Sequence, residues 1–417
     1  MEALDYAYRY ARESAVEPGP KGPRLRLAAA EARETPFFSG RLESPRRTAD
    51  LLLCVAHVAG ARFYTPPNML ARLIALADPL IVRGGEFLRF ESFSACRGVY
   101  CRLDLPPQAL EAEAAREGCT NVDFNAPMRT ALTRIRDGDT VRIEVEAGGV
   151  SLESERAAAV ERKVQLPLSW LRGFASVQAA QAEMSERLRI SGAEALRLLR
   201  DTPRTRTGGP VFVSRAGSGA RFSTTGGADS VRVGGIERLK ALTEALRHAR
   251  SLRVFAADDG STAWLLETPD SRLTMALSPE PSRGFSGEGK ALMDLAAPAP
   301  DHAVARLRAA DIAAMSAGMA GFDLAEGAPF RRWLPFDTGT IETMYPRLRD
   351  ARELVRQGRV RIENGEAWVA GSNATYPVRR AGGKWRCLCP WFARHGVERG
   401  YCKHILAASI VLEGESS

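Results

Sequence analysis

No stretch of this 417-residue chain reaches the roughly 20 consecutive apolar residues that a membrane-spanning helix requires. The opening residues, Met1-Glu2-Ala3-Leu4-Asp5-Tyr6, have neither the basic start nor the apolar run of a secretory signal, so no export is expected. Cysteine is sparse and odd in number, 7 in all. A disulfide framework is therefore not expected, and a reducing, cytoplasmic setting is. Catalytic signatures are also missing. There is no nucleophile triad, no H-E-x-x-H and no dinucleotide fingerprint. The run Gly284-Phe285-Ser286-Gly287-Glu288-Gly289-Lys290-Ala291 falls one residue short of a phosphate-binding loop, because Ala291 has no hydroxyl to ligate magnesium. It reads as a Gly/Ser linker. The adjacent carboxylates Asp258 and Asp259 fall in a turn, where Asp is favoured for backbone reasons. The expectation is a non-enzymatic protein; an enzyme with its site dispersed over the body of the chain is the alternative.

What the chain does have is concentrated near its C-terminus. Cys387, Cys389, Cys402 and His404 spell C-x-C-x12-C-x-H. Three thiols and one imidazole fill the tetrahedral shell of one Zn2+ and leave no position for water or substrate, which marks a structural site. Two sulfurs on one zinc lie about 3.8 Å apart. Cys387 and Cys389 can converge from one side of an extended strand, which Pro390 then stops. Positions i and i+2 of a helix face nearly opposite ways, so Cys402 should precede a helix and His404 should sit in its first turn. Ile405, Leu406, Ala408, Ile410, Val411 and Leu412 supply that helix's apolar residues.

Residues 360–408 closely resemble the SWIM-type zinc finger. The resemblance rests on Tyr376-Pro377-Val378, on Trp385-Arg386-Cys387-Leu388-Cys389-Pro390-Trp391-Phe392, and on Cys402-Lys403-His404-Ile405-Leu406-Ala407-Ala408. It implies a ββα finger in which Cys387, Cys389, Cys402 and His404 hold zinc. It also implies contact with DNA or with proteins, among them helicase-like remodellers and AAA-type ATPases. A pure protein scaffold in an ATPase-associated system is an alternative within the same resemblance.

Charge leans toward nucleic acid. Residues 329–417 hold 15 Lys or Arg against 9 Asp or Glu, a net of +6 out of the chain's +8. Arg379, Arg380, Lys384, Arg386, Arg394, Arg399 and Lys403 lie in or beside the finger, opposed by Glu398 and interleaved with Trp385, Trp391 and Tyr401. Such cation density suits phosphate contact; the bland alternative is a solvated basic face.

The remaining chain reads as α+β, with antiparallel sheets and packed helices. At 45% hydrophobic and 26% charged residues it has the composition of a globular protein, and its wealth of Arg, Ala and Gly suits a bacterial source. Punctuation suggests an N-terminal segment and linker (1–24), an α+β domain (25–200), a second one (210–278), a linker (279–300), a helical connector (301–358) and the finger (359–412). Within the connector, 304–319 and 340–357 read as helices. Residues 122–154 and 231–268 each read as a strand, an amphipathic helix and a glycine-turn hairpin. The helices carry Met128, Leu132 and Ile135, and Ile236, Leu239, Leu242 and Leu246. Preceded by strands at 87–93 and 99–105, these units resemble in pattern the half-domains of DNA sliding clamps; a generic duplicated α+β unit is the alternative. Cys54 and His57 (C-x-x-H) with Cys96 and Cys101 could make a second zinc site, although buried free cysteines fit as well. Cys119, His248 and His302 have no partner by spacing, His395 is expected to be exposed, and Arg204-Thr205-Arg206 reads as a loop.

Overall fold

The computed structural model describes residues 15–19, 22–26, 36–63, 79–122, 124, 126–146, 149–154, 158–162, 168–200, 202–203, 208–280, 284–285, 320–332, 346–363, 366–381, 384–396 and 401–414. The first half contains β1 (Ala15–Gly19), β2 (Gly22–Arg26), β3 (Phe38–Leu42), α1 (Pro45–Gly60), β4 (Leu80–Gly84), β5 (Phe87–Phe93), β6 (Val99–Leu105), β7 (Leu110–Ala115), β8 (Gly118–Asn121), α2 (Ala126–Arg134), β9 (Val141–Glu146), β10 (Gly149–Ser154), β11 (Ala158–Arg162), α3 (Leu168–Ala182), β12 (Ser185–Ser191) and α4 (Gly192–Arg200). There follow β13 (Val211–Ala216), β14 (Gly219–Ser223), β15 (Val231–Val233), β16 (Ser251–Ala256), β17 (Thr262–Glu267), β18 (Arg272–Leu277), β19 (Ala320–Asp323), β20 (Ala328–Arg331), α5 (Pro346–Arg356), β21 (Val360–Glu363), β22 (Glu366–Ala370), β23 (Thr375–Ala381), β24 (Lys384–Cys387), α6 (Pro390–His395) and α7 (Lys403–Gly414). The fold is α+β with antiparallel pairing between its strands, as the sequence predicts. Two compact units emerge: residues 1–167, 183–284 and 331–335 form one, and residues 168–182, 285–330 and 336–417 the other.

The first unit is built on an eight-stranded sheet in the order β12-β16-β17-β18-β6-β5-β4-β8 and a five-stranded sheet in the order β11-β10-β9-β3-β7. Strands on both sides of the Pro203–Gly209 break enter the larger sheet, where β18 pairs with β6 from Arg272↔Asp104 to Leu277↔Val99. The boundary expected between 200 and 210 thus falls inside one unit, because ladder hydrogen bonds join the two segments. Period-2 alternation directs Leu88, Phe90, Leu103, Cys101, Met275 and Leu266 into a common core with Val141, Ile143 and Val145 of β9. Helix α1 packs on β5 and β6. Pro45 stands in its first turn, where a missing N–H costs nothing, and nearly every residue from Thr48 to Ala59 is buried. The other face of β5 and β6 carries Arg89, Glu91, Tyr100, Arg102 and Asp104, all buried and mutually bonded. Asp104 accepts from Arg89 at 3.1 Å and from Arg102 at 3.0 Å, and Tyr100 donates to Glu91 at 2.7 Å.

Both predicted hairpins are present, and the first is preceded by its predicted helix, α2. β9 pairs with β10 (Val145↔Val150) and β16 with β17 (Phe255↔Ala263). In the second turn Asp259 Oδ1 accepts from the Ser261 backbone N–H at 2.7 Å, and Gly260 takes a φ of +85°, as a tight turn favours. The helix expected around 236–246 is instead two 3-10 segments, Ile236–Leu242 and Leu246–His248. Tertiary anchoring overrides helix propensity here. The fully buried Arg238 donates to the Gly98 carbonyl at 2.6 Å and to the Ser278 carbonyl at 2.6 Å, and holds the turn tight against the sheet.

In the second unit, α3 meets the two-stranded β19–β20 sheet, with the Phe322 N–H donating to Gln178 Oε1 at 2.8 Å. Helix α5 lays Leu348, Ala351 and Leu354 inward and packs against α7, beside the four-stranded sheet β21-β22-β23-β24. The helix expected at 304–319, the near-phosphate-loop residues 286–291, and Arg204-Thr205-Arg206 lie outside the described residues, as do His302 and Arg399. Among the described residues no helix is long and apolar enough to cross a membrane.

Candidate metal centre

The β23–β24 hairpin pairs Val378 with Cys387, Arg379 with Arg386 and Arg380 with Trp385. Alternation sends Trp385 and Cys387 inward, and both are buried. β24 ends at Cys387. Cys389 then caps α6, its sulfur accepting the Phe392 N–H at 3.4 Å, and Pro390 opens that short helix. Cys402 stands immediately before α7 and His404 is that helix's second residue, as the i/i+2 argument requires. The finger is therefore a hairpin and a helix within a larger four-stranded sheet, with α6 inserted between the ligand pairs.

The four side chains are buried, and their ligand atoms all lie within 4.8 Å of one another. His404 Nδ1 is 4.0 Å from Cys387 Sγ. The ring's Nε2 is turned toward Gly371, and the ring lies 4.7 Å from that of Tyr376. Cys389 Sγ also accepts the Phe392 backbone N–H at 3.4 Å, which favours its thiolate. Hydrogen bonds from the Cys387 and Cys402 thiols hold Cys389 far below an ordinary thiol; hydrogen bonding to Cys389 pushes Cys387 up to about 11, and hydrogen bonding to Cys387 and then Cys389, with burial, raises Cys402. Three sulfurs this close to one another resist ionising together, because like charges at short range repel. A divalent ion removes that conflict, so the donor set fits Zn2+: soft sulfurs, one imidazole, tight spacing, no carboxylate. The residues that would hold it are Cys387, Cys389, Cys402 and, through Nδ1, His404.

Among the described residues this is the one such cluster of three or more ligands. The alternative second site does not assemble. Cys54 faces the core from α1, where burial pushes its thiol up to about 12, and His57 on the same helix is exposed. Cys101 is buried and raised likewise, and Cys96 lies 3.4 Å from Ser94 Oγ. Cys119 sits half-buried on β8.

The expected cations stand in different surroundings. Arg379 is exposed but bonded to Glu366 at 2.9 Å. Arg380 lies over the Trp385 ring at 5.6 Å, and Lys403 is 3.8 Å from Asp350 of α5. Lys384 opens β24 opposite Ala381. Arg386 and Arg394 are exposed. His395 is half-buried, its ring 5.0 Å from that of Trp391. Three features escaped the sequence reading. Arg347 covers Trp391 at 4.5 Å and donates to the Tyr401 carbonyl at 3.0 Å. Trp368 sits half-buried in mid-sheet opposite Arg361 and Pro377. Leu388, inside the C-x-C itself, is 76% exposed.

Residues 359–413 match the family model of the SWIM zinc finger. No curated protein matches the chain. Among solved structures, the proliferating cellular nuclear antigen of Entamoeba histolytica is similar over 59% of this chain and 99% of its own, at 8% identity and a TM-score of 0.41.

Proposed function

We propose that the zinc-ordered finger is a contact module for DNA, and that the chain acts by binding rather than by turnover. The observation that supports this is the free cationic rim of the knuckle. Arg386 and Arg394 are exposed, and no acidic residue occurs from Lys384 to Val397. Zinc fixes the backbone that presents them, so little ordering is left to be done on binding.

The test is retention of labelled DNA by the zinc-loaded full chain across a salt series. Each neutralised phosphate contributes about −0.9 to the slope of log affinity against log salt. Replacing both Arg386 and Arg394 by alanine should flatten the slope by roughly 2. Absence of DNA binding at low salt overturns the reading. A chemical turnover that survives Cys402→Ser would support an enzyme instead.

A second reading, contact with a protein such as a helicase-like remodeller or an AAA-type ATPase, draws on the outer face of the finger's sheet. There two arginines are paired with acids, Arg379 with Glu366 at 2.9 Å and Arg361 with Glu363 at 3.4 Å, around the half-buried Trp368, while Arg386 stands opposite Arg379 at the edge of the same face. Paired charges around an indole suit a protein partner.

A further inference from the structure

Leu388 is the most exposed large apolar side chain among the described residues, 76% against 43% for Leu196. Its position is imposed. Cys387 and Cys389 are buried ligand positions on either side, so the residue between them must point outward. A leucine there is not required by the metal, because any side chain can occupy the outward position of C-x-C. Arg386, two residues earlier on the same side of the strand, is also exposed, and Pro390 two residues later is exposed as well. The tip therefore presents an apolar side chain on a backbone clamped by two zinc ligands, flanked by a guanidinium. With no acid from Lys384 to Val397, the partner that complements it carries negative charge and offers apolar surface beside that charge.

We infer that Leu388 is an inserting contact for nucleic acid whose bases are unpaired or unstacked. Arg386 takes the adjacent phosphate, and Leu388 packs on a base face that an intact duplex hides within its stack. Apolar side chains inserted at base steps exploit the lower cost of entering a site that is already open. This rests on the DNA-binding reading above and specifies the structure preferred. The tip should favour single strands, bulges and mismatches over matched duplex.

The experiment is fluorescence anisotropy of the zinc-loaded full chain with three labelled probes: a thymine single strand, a matched duplex and the same duplex with a two-base bulge. Wild type should bind the single strand and the bulge more tightly than the matched duplex. Leu388→Ala should weaken those two about tenfold and change the duplex little, and Leu388→Phe should retain the preference, because a base stacks on an aromatic ring. Zinc content, measured on each variant, should stay at the wild-type value because the side chain is outward. Equal affinities for all three probes, or equal losses across them in Leu388→Ala, would overturn the inserting role while leaving phosphate contact standing. No binding to any probe would overturn both readings. Unchanged binding to every probe in Leu388→Ala, with loss of a protein captured by the wild type, would assign the tip to a protein partner and overturn the inference.

Discussion

His248 Nε2 lies 2.7 Å from Asp50 Oδ2, joining the 3-10 turn before β16 to the middle of α1 across 198 positions of chain. Asp50 is fully buried, and burial opposes its charge. Hydrogen bonds from His248 and Arg247, with the charges of Arg247 and Arg46, outweigh that burial and hold its carboxyl below the usual range. A carboxyl with a depressed folded pKa stabilises the fold fully above its unfolded value of about 3.9, and the contribution disappears as pH falls through the lower folded value. Thermal melts from pH 7 to pH 3 should show wild type losing stability below about pH 4, while Asp50→Asn starts lower and varies less. At pH 7 the loss in Asp50→Asn should be about 1–3 kcal/mol, since half-exposed Arg247 can turn to water and Arg46 keeps its bonds to the Thr133 and Ile135 carbonyls. Parallel melting curves at all pH values would remove Asp50 from the acid response.

Gly371 is where the sheet makes room for the imidazole. A Cβ there would stand 3.1 Å from His404 Nε2 and 2.9 Å from Tyr376 Cε2. Gly371→Ala should displace the ring from the sulfurs and weaken zinc retention in a chelator competition about tenfold, as supporting-residue changes do at metal sites. Retention equal to wild type would mean that the ring has slack.

Gly192 joins β12 to α4 against the backbone of Ala249, and a Cβ would fall 1.8 Å from the Ala249 carbonyl oxygen. Backbone cannot yield as a side-chain end can, so Gly192→Ala should cost about 1–3 kcal/mol in denaturant unfolding. An unchanged midpoint would show that this junction moves freely.

Metal binding must displace protons from the Cys387 and Cys402 thiols, both raised above an ordinary thiol. Zinc affinity should therefore climb with pH, with protons released on loading. Calorimetry in buffers of differing ionisation enthalpy reads this directly; no proton release would mean the thiols are ionised beforehand.

How much of this was legible in the sequence differs between finger and body, for physical reasons. The ligands announce themselves because zinc geometry acts over short chain distances: C-x-C and C-x-H each fix local backbone, and Pro390 marks where the strand stops. The hairpins at 141–154 and 251–267 were readable from alternation around glycine turns. The Asp50–His248 pair was not, since nothing local links an α1 carboxylate to a histidine 198 residues on. Nor was the 3-10 form of Ile236–Leu242, which depends on Arg238 reaching Gly98 and Ser278. The joining of β18 to β6 was hidden likewise, because strand partners carry no mark of which distant strand they will meet. Leu388 could have been found: a residue between two inward ligands has to face out.

Elemental analysis of the full chain, purified without added metal, tests the central claim most directly. The account predicts one zinc per chain, lost in Cys402→Ser together with the ordered packing of α7 against α5. Well under one equivalent of zinc in a wild-type protein whose α7 remains ordered would contradict it.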